Sequence, residues 1–308
     1  MDSTFTDNST WEVDIDVLTA AAEDEIEQSR KRPFYENIKG FRFTPKVLPP
    51  GVECLWVKYR DGEPTLQTEA FTQDYVHSEL AKLDRPVKGG LYIPKVFGYA
   101  EIEMEGCNCS FIIMEFVTGT PISRITRDIR RSKDSDDQEK EDRMRPFKDR
   151  VVDALCFLLS LEPPVDAAPG PVNGGHIQSF VFGRDESYAP RVFNSLEDLH
   201  EWVNHENEKK KANPLLTTGD LLSEGLSLCY CDLNLDNFLL EDEKDPASRL
   251  TVIDFEHTSW LPYSFLVWEL WNKSEGYMTD QVTSRTMVRV NRDNIEALNN
   301  IHLQRRWN

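Results

Sequence analysis

Apolar residues recur at two different spacings along this 308-residue chain, and the change from one to the other divides it into parts of different character. From Val13 to Arg30, apolar or small residues fall at helical spacing with Glu and Asp ahead of Lys and Arg, which predicts an amphipathic flanking helix. Phe41 to Tyr59 differs in kind. Short β-favouring runs are broken there by Pro49, Pro50 and Gly51, as in a hairpin whose second strand is Cys54 to Tyr59. Leu66 to Leu83 then carries Ala70, Phe71, Tyr75, Val76, Leu80 and Leu83 on one stripe at three- and four-residue steps, the mark of a helix. Pro94 to Tyr99 and Ser110 to Phe116 predict two more strands separated by a turn around Gly106.

Beyond these strands the pattern turns helical. Ser132 to Asp142 is almost entirely charged or polar and reads as a solvated loop or helix end, marking the region between two parts of the molecule. Pro146 to Leu161 and Ser195 to Lys211 look helical, the second opening on a serine cap with Asp198 three residues on. Proline and glycine between Pro163 and Gly175 forbid continuous helix and predict a long ordered loop. No repeat of fixed period is visible. The fold class is therefore α+β, with a flanking helix in residues 1–35, a small antiparallel-sheet lobe in 36–118 and a larger, mainly helical lobe in 119–308.

Charge narrows the partners. Acidic residues outnumber basic ones 54 to 35, giving a formal net charge of −19. That balance argues against a phosphate-backbone interface, so no nucleic acid is expected. It suits a cationic small molecule and, through self-repulsion, a monomer or weak dimer. No basic stretch and apolar run open Met1 to Trp11, and the longest apolar run, Val151 to Leu161, falls short of the ~20 residues that span a bilayer. No membrane association is expected. The six cysteines read as reduced thiols of a cytoplasmic protein. Cys107/Cys109 and Cys229/Cys231 invite a four-thiolate zinc reading, but structural zinc pairs usually leave two residues between the cysteines.

The informative stretch runs from Leu228 to Leu240, followed after a charged turn by Leu250 to His257. Two apolar strands flank a polar loop holding Asp232 and Asn237, and Asp254 falls at the end of the second strand. Phosphoryl transfer calls for that set. A nucleotide concentrates negative charge, so Mg²⁺ beside it needs hard oxygen ligands, which Asn237 and Asp254 supply. Asp232, kept free of the metal, would orient the attacking hydroxyl. An isolated match of this kind is weak, and its context of strand, loop and hairpin gives it weight.

At Asp232-Leu233 through Asn237 and at Ile253-Asp254-Phe255-Glu256 the chain resembles the aminoglycoside phosphotransferase and choline kinase-like superfamily, especially its fungal members, over about Phe41 to Trp271. The resemblance implies a bilobal protein-kinase-like fold, ATP with Mg²⁺ in the cleft and transfer to a hydroxyl of a small molecule. It also implies that Lys58 neutralises the nucleotide phosphates, with Glu69 as its partner and Glu79 as the weaker alternative. The carbonyl of Glu115 and the amide of Val117 would then bind adenine. The chain departs from the family where Tyr230-Cys231 replaces the usual His-Gly, and where Gly40 and Gly51 stand alone in place of a glycine-rich loop.

Asp236, Glu256 and His257 lie beside the catalytic loop and are candidates for a substrate ammonium group, or equally caps and salt-bridge partners. Trp260, Tyr263, Phe265, Trp268 and Trp271 would line a pocket or pack a helix on the core. The reading is an ATP- and Mg-dependent O-phosphotransferase acting on an aminoglycoside-like compound, an amino alcohol or a natural product. A catalytically silent binding or scaffold protein is the alternative. A protein kinase is disfavoured because no Ala-Pro-Glu follows Asp254 and Asp-Phe-Glu replaces Asp-Phe-Gly.

Overall fold

The structure is a computed structural model that describes residues 11–305 apart from 30, 32–38, 63–65, 85–86, 88, 105, 134–135, 184–186, 210, 212–214, 217–219 and 274. The expectation drawn from Met1 to Trp11 and the boundary between residues 35 and 36 fall almost wholly outside the described residues.

Helix α1 (Ile15–Ser29) is followed by an antiparallel sheet of β1 (Gly40–Phe43), β2 (Leu55–Asp61), β4 (Val96–Met104) and β5 (Cys107–Glu115), in the spatial order β1-β2-β5-β4. β3 (Leu91–Tyr92) belongs to the other lobe, where it pairs parallel with β9 (Leu250–Val252). Alternation along β2 sends Leu55, Val57 and Tyr59 to one face, where they meet Leu18 and Ala22 of α1. The flanking helix thus completes the core of this lobe. On the other face Leu66 and Ala70 of the α2 (Gln67–Ala81) region pack with Val96, Ile112 and Met114.

After Glu115 the chain crosses into a lobe of seven helices among the described residues: α3 (Ile122–Arg131), α4 (Asp137–Leu159), α5 (Leu196–Lys209), α6 (Asp220–Glu224), α7 (Ser264–Asn272), α8 (Gly276–Thr286) and α9 (Arg292–Arg305). Most of Ser132 to Asp142, open above as loop or helix end, becomes the first turns of α4. Asp136 caps it by accepting the Glu139 amide at 2.8 Å, and Arg145 pairs with Asp142 at 2.9 Å. Straight-chain charged residues favour helix strongly enough to extend it well ahead of Pro146. The cap expected of Ser195 is present, its hydroxyl accepting the Asp198 amide at 3.2 Å.

Two small β units carry the polar loops of this lobe. β7 (Ser227–Tyr230) pairs with β10 (Thr258–Leu261), and β8 (Phe238–Leu240) lies between the short β6 (Thr120–Pro121) and β9, so that Phe238 faces Val252. Trp260, Phe265 and Trp268 are buried in the core, whereas Trp271 is 57% exposed. Tyr75 of α2 meets Trp260 edge-on at 6.0 Å, tying the lobes together behind the cleft. All six cysteines are free thiols. No helix among the described residues is long and apolar enough to cross a membrane.

Candidate active site

The alternation that buries Val57 and Tyr59 turns Trp56, Lys58 and Arg60 towards the space between the lobes. A lysine there needs partners. Lys58 Nζ lies 2.8 and 2.7 Å from the two carboxylate oxygens of Glu69, and 2.9 Å from Asp254 Oδ1 in the opposite lobe. Glu256 completes the ring, with Oε2 at 4.0 Å from Lys58 and 2.6 Å from Arg60 Nη2. Glu79 is engaged by Lys82 instead, at 2.6 Å.

Burial and charge oppose each other in this cluster. Burial would lower the pKa of Lys58, but Glu69, Asp254 and Glu256 outweigh it and raise the value above the ordinary lysine range. Burial pushes the Glu69 carboxyl above the usual carboxylate range, against the pull of Lys58. Burial also acts on Glu256, yet Lys58 and Arg60 prevail and hold it down to about 2. Burial lowers the pKa of His257 despite nearby carboxylates and favours its neutral form.

The loop after β7 presents the second half of the site. Asp232 Oδ1 accepts the Asn234 amide at 3.2 Å, and Oδ2 accepts Asn237 Nδ2 at 3.0 Å. The Ile253 amide donates to the Asn237 carbonyl at 3.0 Å, so the β8–β9 pair delivers Asn237 and Asp254 side by side. Asp254 has φ +64°, a left-handed conformation that costs a side-chain-bearing residue free energy and persists where its surroundings enforce it.

One enforcing contact comes from Tyr230, the residue standing where the resembled family has histidine. Its ring is fully buried edge-on to Phe238 and Phe255, and its hydroxyl donates to the Ile253 carbonyl at 2.7 Å, immediately ahead of Asp254. Cys231 is buried too, its amide donating to the His257 carbonyl at 2.9 Å. The unusual pair is therefore woven into both strands that hold the loop.

Lys58, Glu69, Met114, Glu115, Phe116, Val117 and Asp254 line a single cleft of about 400 Å³, with Trp56 on the sheet side and Leu239 and Ile253 opposite. The Glu115 amide is held by the Lys95 carbonyl at 2.9 Å and its carboxylate accepts the Tyr92 hydroxyl, which fixes the crossing strand. Gly40 is required above Trp56, since a Cβ there would lie 2.5 Å from the indole ring.

Asp236 is not part of the cleft lining: its carboxylate accepts from Ser123 on α3. His257 stacks on Phe180 with ring centroids 4.6 Å apart, its Nε2 lying 3.0 Å from Gln178 Nε2. Gln178 also donates to Glu256 at 2.5 Å, and the Tyr188 hydroxyl lies against both Arg60 and Glu256. Trp56, Arg60, Gln178 and Tyr188 were not singled out from the sequence. The alternation of β2 is the signal for the first two; Gln178 and Tyr188 face each other across an isolated bridge between two loop segments and leave no periodic pattern.

Among the described residues Glu69, Asp254 and Glu256 form the only set of three or more potential metal ligands, and Lys58 occupies its centre. The two cysteine pairs do not assemble into such a set.

No protein-family model and no curated protein matches the chain. Solved structures do resemble it. The GDP complex of aminoglycoside 2'-phosphotransferase-IIIa overlaps 87% of this chain and 80% of its own at 16% identity, with a TM-score of 0.42. Amicoumacin kinase hAmiN in complex with AMP-PNP, Ca²⁺ and Ami overlaps 93% of this chain and 86% of its own at 9% identity and TM-score 0.42. The microcompartment-associated aminopropanol kinase overlaps 94% of each chain at 10% identity and TM-score 0.38. Likenesses this distant decide nothing about chemistry, which rests on the chain's own side chains.

Proposed function

We propose that the chain is an ATP- and Mg²⁺-dependent O-phosphotransferase that phosphorylates a hydroxyl of a small molecule, in the manner of the aminoglycoside phosphotransferase and choline kinase-like superfamily. The observation that carries this reading is the ion pair of Lys58 with Glu69 and Asp254, which joins a sheet lysine, a helix glutamate and a left-handed aspartate across one cleft.

The base would lie between Trp56 and Leu239, against the main chain of Glu115 and Val117, with its phosphates running to Lys58. The donor set fits a magnesium ion. Asn237 commits its amide nitrogen to Asp232, which leaves its carbonyl oxygen for the ion, and Asp254 adds a carboxylate. Mg²⁺ held there would neutralise polyphosphate charge. Asp232, fixed through two hydrogen bonds, would orient the acceptor hydroxyl and take its proton as the oxygen attacks the terminal phosphorus and the bond to ADP breaks. The acidic charge balance supports a cationic, amine-bearing alcohol as the acceptor, and equally serves to keep the chain solvated.

Magnesium-dependent phosphate transfer from ATP to a panel of aminoglycosides, amino alcohols and sugars tests the reading, with Asp232→Asn beside the wild type. Turnover by the wild type and a loss of about 10²-fold or more in the variant is the expected outcome. Tight ATP binding with no turnover on any acceptor would favour the silent binding protein, and equal turnover by Asp232→Asn would remove the role given to that residue.

A further inference from the structure

Arg60 has no part in the assignment above, yet it repeats the placement of Lys58. Both project from the same face of β2, and both reach Glu256 Oε2, at 2.6 Å for Arg60 and 4.0 Å for Lys58. The strand sets the order of what lies beneath it. Its register pairs Leu55 with Glu115 at the crossing between lobes, and the chain then runs outward through Trp56, Lys58 and Arg60. Residues on one face of a strand are spaced by roughly 6.6 Å. A nucleotide whose base lies at Trp56 and whose inner phosphates lie at Lys58 therefore extends its last phosphate towards Arg60. The cleft lining includes Lys58, Glu69 and Asp254 but not Arg60, which stands one strand repeat further along β2.

We propose that Arg60 is the binding site for the terminal phosphoryl group of the nucleotide, and that Glu256 and the Tyr188 hydroxyl hold the guanidinium ready for it. The inference rests on the phosphotransferase reading and extends it. Three features support it. First, the described residues include no glycine-rich turn to cradle phosphates, and Gly40 is engaged by Trp56. Second, a guanidinium offers five N–H donors in a planar fork, enough to keep Glu256 on one edge while receiving phosphoryl oxygens on another. Third, Glu256 is itself anchored from the far side, by Gln178 at 2.5 Å, so it fixes the arginine in direction. The Tyr188 hydroxyl lies in the same contact, accepting from Arg60 and donating to Glu256, and so helps to fix the guanidinium.

The test uses the full chain and compares dissociation constants for Mg-ATP and Mg-ADP by titration calorimetry, in the wild type, Arg60→Ala and Arg60→Lys. The two nucleotides differ only in the group at issue, so a general loss of structure would weaken both alike. A charge-assisted contact of this kind corresponds to about a 10- to 100-fold change in affinity. Arg60→Ala is expected to lose that factor for ATP while ADP changes less than about twofold. Arg60→Lys, which keeps the charge and loses the fork, should fall between. An unchanged ATP-to-ADP ratio in Arg60→Ala, or equal weakening of both, overturns the proposal while leaving the kinase reading intact. Failure of the wild type to bind either nucleotide would instead overturn the kinase reading, and this one with it.

Discussion

Replacing Tyr230 by phenylalanine removes one oxygen from the interior and leaves the packing of the ring on Phe238 and Phe255 in place. The oxygen lost is the donor to Ile253, whose carbonyl precedes the left-handed Asp254. A buried carbonyl stripped of its partner costs about 1–3 kcal/mol. The αL backbone at Asp254 stores on the order of 1–2 kcal/mol that its surroundings must supply. The two are comparable, so the variant should lose about 1–3 kcal/mol of stability and also relax the Asp254 backbone. In a chain of this size that stability loss lowers Tm by several degrees, on the order of 2–4 °C per kcal/mol. The functional readout is the magnesium concentration that half-saturates ATP binding. With Asp254 ligating the ion as proposed, loss of its fixed backbone should raise it by about tenfold, the scale seen when the supports of a metal ligand are removed. Affinity for ATP without metal should stay near the wild-type value. A variant that loses stability as expected but keeps the wild-type magnesium requirement would show that Tyr230 is ordinary core, and that Asp254 is held by its other contacts.

Two further outcomes follow from the buried helix and the roof of the cleft. Glu269 on α7 is fully buried 3.6 Å from Lys273, and burial raises its pKa to about 7, above an unfolded value of 4.5. The folded state therefore binds its proton more tightly, so the stability this group contributes is complete below pH ~4.5 and is lost as pH rises to about 7, worth about 3 kcal/mol in total. Glu269→Gln should unfold in urea at a higher midpoint than wild type at pH 8 and lose that advantage at pH 5; a constant difference across the range would contradict the assigned shift. Gly40→Ala sets a Cβ against the Trp56 ring, which must swing into the cleft, so ATP affinity in a fluorescence titration should fall by about tenfold or more with little change in unfolding temperature.

How much of this was legible depended on whether a residue's reason lay near it in the chain. Lys58 could be found because a charge inside an apolar strand demands an explanation, and Glu69 because it opens the next helix. Asp232, Asn237 and Asp254 were legible from spacing and flanking strands, and the β8–β9 pairing that joins them is local. Arg60 had the same strand alternation in its favour but stood outside any motif. Gln178 and Tyr188 were not legible at all. They reach Glu256 because the Ser179 amide bonds the Ser187 carbonyl and the Ala189 amide the Ile177 carbonyl on either side of a single bridge. The polar start of α4 was ambiguous because a solvated helix and a solvated loop share a composition, and only the Asp136 cap separates them.

The charge balance of the cleft links the fold to its chemistry. Lys58 and Arg60 face Glu69, Asp254 and Glu256, and Asp232 adds a further carboxylate in the opposite lobe. Taken alone this is a poor receptacle for a polyphosphate, in a chain that already carries −19. Two of the carboxylates have another use, however. Glu69 and Glu256 hold the two cations in direction, at 2.7 and 2.6 Å, and arriving phosphates need only share them. Asp254 is different, because its contact with Lys58 occupies one oxygen at 2.9 Å and leaves its carboxylate able to serve a divalent ion. An incoming Mg-nucleotide would thus find its cations already aimed and its metal ligands already paired. On the proposed reading the excess acidity of the site would weaken entry of the bare anion and favour the Mg-nucleotide, whose charge is partly neutralised.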